Sequence, residues 1–203
     1  MTAGRATAPL AGGVALLERA IAYTLGGLLL VTPEALRNPT PCRGWDLHDL
    51  LWHMDDSLRA LDEAIGAGRV ALDPPAEVDP GPGTGPAAGD PVARLRSRAC
   101  RMIGSWANAT VPGPVAVADR AVSPEVVAAV GAVEVAVHGW DVMRACGRPA
   151  PVPAALAEEL LDLCPLLVTE ADLGTRFSPA RPVDPSAAPG DRLVARLGRD
   201  PAA

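Results

Sequence analysis

The chain contains no lysine. All 18 of its positive residues are arginines, set against 24 acids for a net charge of −6. With a pI near 5.0, that balance excludes electrostatic binding to nucleic acid or to an anionic membrane. Aromatic residues are nearly missing, 3% of the chain with one Tyr and one Phe, so a core must be packed from Leu, Val and Ala. The four cysteines, at 42, 100, 146 and 164, form no CxxC pair. A disulfide framework and a Cys-type zinc site are therefore not expected, and reduced thiols in a cytoplasmic protein are. A long uncharged apolar run is also lacking. The most apolar stretch, 14–31, holds Glu18, Arg19 and Tyr23. A membrane span wants about 20 apolar residues with few charges, and a signal peptide an unbroken apolar run. The stretch reads instead as an amphipathic helix, internal or partly an interface, which leaves a homodimer open.

What is present is helical. The 203 residues, 49% of them apolar, suit one domain with a sizeable core. Apolar residues recur at helical spacing over 9–31, 46–67, 91–108, 123–146 and 153–169. In 46–67 the stripe is Leu47, Leu50, Leu51, Met54, Leu58, Leu61 and Ile65. Gly66 and Gly68 stop that helix, Ser123 with Pro124 starts the fourth, and Gly147 with Pro149 ends it. Pro165 limits the last turn of the fifth. Residues 73–90 are rich in Pro and Gly and read as an irregular connection, too long for a tight turn and suited to the long crossover of some bundles. Residues 108–120 read as loop and 175–203 as a short Pro-rich tail, with 191–198 a candidate terminal helix. No alternating strand pattern stands out. The expected architecture is an all-α helical bundle with one long crossover, spanning 1–203.

Three histidines narrow the search for chemistry: His48, His53 and His138. Glu134 and His138 are four apart, on one helix face with Val127, Val130, Gly131, Asp141 and Ala145. A carboxylate and an imidazole set into an apolar face need strong partners, and a divalent metal is one. His53, at the edge of the apolar stripe, supplies the third ligand. His48 lies roughly 140° round the helix from it and reads as a surface residue. Two imidazoles and a carboxylate suit catalytic zinc with open positions, or non-haem Fe(II). The same residues also suit a hydrogen-bonded core. Asp141 shares the face of His138, as an outer partner, a substrate contact or a surface ion pair. Asp49 and Asp56 flank His53 and are candidates to orient its ring. Arg43 and Arg144 are candidates to bind a substrate carboxylate, and Tyr23 to line a cavity or pack the core.

Residues 41–54, PCRGWDLHDLLWHM, resemble the TPCxGWxVxDLxxHL signature of the DinB-like superfamily. More narrowly they resemble the N-terminal domain of mycothiol-dependent maleylpyruvate isomerase. Residues 133–142, VEVAVHGWDV, resemble that group's ELxVHxWDL segment. Residues 191–201, DRLVARLGRDP, resemble the ending of a short actinobacterial subfamily. The resemblance implies a four-helix bundle with one long crossover and a divalent metal, usually zinc with nickel or iron as alternatives, on His53, Glu134 and His138. It implies mycothiol as a possible co-substrate, with Trp45 and Trp140 as packing residues and Cys42 as a structural position. The isomerase carries an additional C-terminal domain that contributes to its active site, where this chain has its tail. What carries over is the metal bundle and thiol chemistry on a small-molecule substrate, as an S-transferase or isomerase. The alternatives are a thiol-independent hydrolase, cyclase or lyase, an Fe(II) oxygenase, or a non-catalytic ligand-binding module.

Overall fold

The structure, a computed structural model, describes residues 12–70, 90–108, 113–118, 120–167 and 178–202. Its elements in chain order are α1 (Gly13–Leu28), a 3₁₀ turn (Glu34–Arg37), α2 (Leu47–Ala67), β1 (Arg69–Val70), α3 (Pro91–Asn108), β2 (Val115–Val117), β3 (Arg120–Val122), α4 (Pro124–Ala145), α5 (Ala154–Leu167) and α6 (Pro189–Arg196). The all-α bundle read from the sequence is there. Residues 9–11 of the first expected helix and 168–169 of the fifth lie outside the described residues.

Local chemistry sets the helix ends. Asp46 opens α2 with a capping box: its carboxylate accepts from Asp49 N at 3.0 Å, and the Asp49 carboxylate accepts from Asp46 N at 3.3 Å. Gly68 closes α2 in the left-handed conformation, φ 63°. Ser123 caps α4 through Val126 N, with Pro124 in the first turn. Pro165 sits in the last turn of α5, as expected.

Neighbouring contacts fix the helix directions. Thr24 of α1 meets Val135 and Gly139 of α4, while Gly13 meets Glu125 and Ala129, and Gly27 meets Met143. The two helices therefore run parallel. Leu61 lies on Gly131, and His53 reaches Glu134, so α2 runs antiparallel to α4. Trp52 underlies Arg94, and Asp62 reaches Arg98, so α2 and α3 run parallel. Parallel neighbours joined in sequence need a connection as long as the bundle. The sequence expects that crossover at 73–90, of which residues 73–89 lie outside the described residues. Buried Asp55 ties the pair, receiving Arg98 at 2.6 Å and Arg94 at 3.0 Å.

α4 is the central helix. Ala128, Ala132 and Ala136 are fully buried, and its small residues let α1 approach closely. A Cβ at Gly139 would overlap the side chain of Thr24, whose hydroxyl donates to Val135 O at 2.8 Å. α4 is long and apolar enough to cross a membrane, but 83% of its most apolar window is buried inside the protein.

Two expectations need correction. Within the expected loop 108–120, Val115–Val117 and Arg120 are in strands: β2 pairs antiparallel with β3 and parallel with β1, in a small sheet at the end where α2 and α3 finish. Two- and three-residue strands are too short to show alternation, and only Val115 among β2 and β3 is buried. Residues 178–202 are not a mere tail. α6, the terminal helix read at 191–198, docks against α5 and buries Leu193 and Val194, with Leu197 buried just past its end. Its amphipathic sequence makes that burial favourable.

Candidate metal centre

The loop before α2 is pinned across the end of α4. Asn38 Nδ2 donates to Ala145 O at 2.8 Å, and Pro39 bridges Asp46. This brings Cys42 and Trp45 to the faces of α2 and α4 that carry the histidines. His53 Nε2 lies 2.7 Å from Glu134 Oε1, and His138 Nε2 lies 3.2 Å from the same oxygen. Donor atoms of the three residues all fall within 4.8 Å of one another. Ligands about 2.1 Å from a tetrahedral zinc would stand roughly 3.4 Å apart, so His53 and Glu134 would move apart by under about 1 Å to admit an ion. The His53 and His138 rings meet edge to face, centroids 5.0 Å apart. Val130, read on the same face, is instead 47% exposed.

Behind the triad stands a second layer. His138 Nδ1 lies 2.9 Å from Asp141 Oδ2, and Asp141 is fully buried. A carboxylate on the far nitrogen fixes the ring and directs Nε2 toward the ion position, the usual support of a metal-bound histidine. Arg199 holds Asp141 from the other side, at 2.8 Å to Oδ2 and 3.3 Å to Oδ1. Cys42 Sγ lies 3.3 Å from Asp141 Oδ2 and 3.7 Å from His138 Nδ1.

Electrostatics follow from this packing. Burial opposes a charge on Glu134, but His138 and His53 outweigh it and hold the carboxyl well below its ordinary range. Burial likewise disfavours the His138 imidazolium, but the Glu134 charge and the bond to Asp141 prevail and raise the ring well above its ordinary value. At Asp141, burial is outweighed by the hydrogen bond from His138 and the charge of Arg199, and the carboxyl is lowered. Without an ion the cluster is thus a proton-rich imidazole between two carboxylates. A divalent cation is the natural replacement for that proton.

A small apolar cavity of about 10 Å³, room for about one water, lies beside Glu134 and His138, lined by Ile21, Leu25, Leu28, Met54, Leu58 and Leu95, with Thr24 and Ser57 as its hydroxyls. The family model described as Mycothiol maleylpyruvate isomerase N-terminal domain matches residues 17–143. The chain belongs to that family. It is a metal-binding family. No curated protein and no solved structure gives a significant match. The stretch matched to the maleylpyruvate isomerase domain holds His53, Glu134, His138 and Asp141, and it ends before Arg199.

Other sequence candidates sit elsewhere. Tyr23, Arg43 and Arg144 do not line the pocket. The Tyr23 hydroxyl donates to Ala150 O at 2.8 Å, and burial, with the Asp141 charge, raises its pKa well above the ordinary value. Arg144 lies over Trp140, 5.2 Å from the ring centroid, and Arg43 is exposed in the turn before Trp45. Asp49 serves the cap of α2, and Asp56 pairs with Arg59. Neither orients His53, because each points along the helix flank toward a local partner. His48 accepts from Trp52 Nε1 at 3.0 Å, away from the triad. Trp140 packs in the core as expected, but Trp45 is 37% exposed with its ring centroid 4.8 Å from that of His53. Sequence reasoning missed Arg199 and the place of Cys42 against Asp141. Arg199 belongs to the 191–201 motif, yet nothing local ties it to α4.

Proposed function

We propose that the protein is a metal-dependent enzyme that uses a small thiol of the mycothiol type, as an S-transferase or isomerase, on a small-molecule electrophile. The observation that carries this reading is the convergence of His53, Glu134 and His138 at the edge of an apolar pocket, with Asp141 on the far nitrogen of His138. Membership of the maleylpyruvate isomerase domain family supports the thiol. His53, Glu134 and His138 would hold the ion, with zinc best suited to two imidazoles and a carboxylate, and nickel or iron compatible with the same donors. A divalent ion there supplies Lewis acidity, which favours the thiolate over the thiol and polarises a carbonyl.

The protein's own residues do the rest. Asp141 keeps the His138 ring in one orientation. Trp45 covers the His53 edge of the centre. Ile21, Leu25, Leu28 and Met54 make the wall beside the centre apolar; the space they leave is about 10 Å³, so a substrate would have to displace these side chains or approach the centre from outside. Addition of the thiolate to an activated double bond, rotation and expulsion gives isomerisation, and displacement of a leaving group gives S-transfer. The substrate is a small molecule, not a nucleic acid or a membrane, and the compartment is the cytoplasm, where reduced thiols are available.

The test is metal content by elemental mass spectrometry on protein purified without a metal-affinity tag, with His53→Ala and His138→Ala alongside. Near one equivalent of zinc, lost in both folded variants, supports the reading. No metal, and none taken up from added zinc, nickel or iron, overturns it. A panel of electrophiles with and without mycothiol then separates thiol-dependent turnover from hydrolysis, cyclisation or elimination.

A further inference from the structure

We propose that Arg199 is a positioning residue of the metal centre, acting on His138 through Asp141. The inference rests on reading the triad as a metal site. Arg199 comes from the segment after α6, 58 residues from Asp141 in sequence, yet its side chain is only 10% exposed. Its guanidinium makes a forked bond to the Asp141 carboxylate. Nη1 donates to Leu197 O at 2.8 Å, and Nη2 also approaches Cys42 Sγ at 3.5 Å.

The direction of that side chain is built into the backbone. The chain leaves α6 through Gly198 at φ 84°, a conformation that favours glycine, and Arg199 N donates back to Val194 O at 3.0 Å. A Cβ at Gly198 would also overlap Ser178. The turn therefore delivers residue 199 to one place.

One oxygen makes Arg199 more than a clamp. Asp141 Oδ2 receives both Arg199 Nη2, at 2.8 Å, and His138 Nδ1, at 2.9 Å. Whatever fixes that oxygen fixes the ring, and with it the direction in which Nε2 faces Glu134 and His53. The fork of the guanidinium holds both carboxylate oxygens, so Asp141 cannot turn away from His138 without breaking a bond to Arg199.

The experiment uses the full chain as wild type, Arg199→Met, Arg199→Lys, Asp141→Asn and the Asp141→Asn/Arg199→Met double variant. Zinc affinity is read by competition with a chromophoric chelator, and geometry by the visible spectrum of the cobalt(II)-loaded protein. The imidazole N–H resonances of the metal-free protein report the Nδ1 proton directly. Circular dichroism checks the fold. Arg199→Met is expected to weaken zinc about 10- to 100-fold, alter the cobalt bands and expose the His138 Nδ1 proton to rapid exchange. Arg199→Lys, which offers one prong in place of two, is expected to lose about tenfold, and it carries the test if the Met variant does not fold. In the Asp141→Asn background, Arg199→Met should add little further loss. Unchanged zinc affinity and an unchanged Nδ1 proton in the Arg199 variants would overturn the proposal. So would an equal loss in the Asp141→Asn background, because Arg199 would then act without Asp141. A wild type that binds no metal would overturn the metal site and this proposal with it, whereas Arg199 variants that bind zinc as tightly as a zinc-binding wild type would overturn this proposal alone.

Discussion

One imidazole joins two carboxylates: His138 Nδ1 lies 2.9 Å from Asp141 Oδ2, and Nε2 of the same ring lies 3.2 Å from Glu134 Oε1. In the metal-free protein the pKa of His138 is raised. Its charge therefore stabilises the fold below the unfolded value, about 6.5, and that contribution fades as pH rises through the higher folded value. Glu134 is lowered, so its contribution is lost only in acid, outside the range from pH 6 to 8. A metal needs the neutral ring and competes with its proton. The gap in Tm between zinc-loaded and metal-free protein should thus widen from pH 6 to pH 8. A gap that narrows over that range would contradict the arrangement.

The tie between α2 and α3 should be the most costly polar contact to cut. Asp55 is 3% exposed, and its removal strips Arg98, whose side chain is 16% exposed, of its shortest ion pair, while Arg94 is exposed enough to turn to water. Asp55→Ala is expected to lower unfolding stability by about 3 kcal/mol. Asp56→Ala, one residue along on an exposed flank, should change it by less than about 1 kcal/mol. Urea denaturation of both variants makes the comparison. Equal, small losses would show that the buried pair is not holding the two helices.

Two glycine substitutions should act in opposite directions. Gly139→Ala pushes a methyl into Thr24 at the closest approach of α1 and α4, and should destabilise by about 1–3 kcal/mol. Gly66→Ala meets nothing within 4 Å near the end of α2, and should stabilise by up to about 1 kcal/mol through helix propensity. Thermal unfolding of the two variants settles the signs.

The four free thiols should differ in reactivity. Burial pushes the Cys164 thiol up to about 11 despite Arg196 nearby, and burial also raises Cys146. Cys100 is exposed on α3. A disulfide reagent at pH 8 should label Cys100 first and Cys164 only on unfolding. Rapid labelling of Cys164 in the folded protein would mean that α5 opens readily.

Helix periodicity makes most of the bundle legible, and i, i+4 spacing alone puts Glu134 and His138 on one face. His53 can be chosen over His48 because a five-residue step turns the helix too far for both. The parts that stay hidden depend on long-range placement. No local pattern says that Arg199 folds back onto Asp141, or that the Asn38 bond to Ala145 O carries Cys42 to the same carboxylate. Strands as short as Arg69–Val70 leave no periodic trace. Arg43, Arg144 and Tyr23 have suitable chemistry for substrate contact, but a side chain's type does not reveal its direction.

The parallel seating of α1 on α4 has a kinetic side. Thr24 and Val135, which bond across it, are 111 residues apart. Most helical bundles fold fast because neighbours in sequence pair first, whereas contacts of such separation must close a large loop before they return any energy. The facing sides of α2 and α4 are likewise joined by residues 81 apart in His53 and Glu134. A metal held by both helices could be taken up during refolding only once α2 and α4 have met, so its uptake would time that long-range contact.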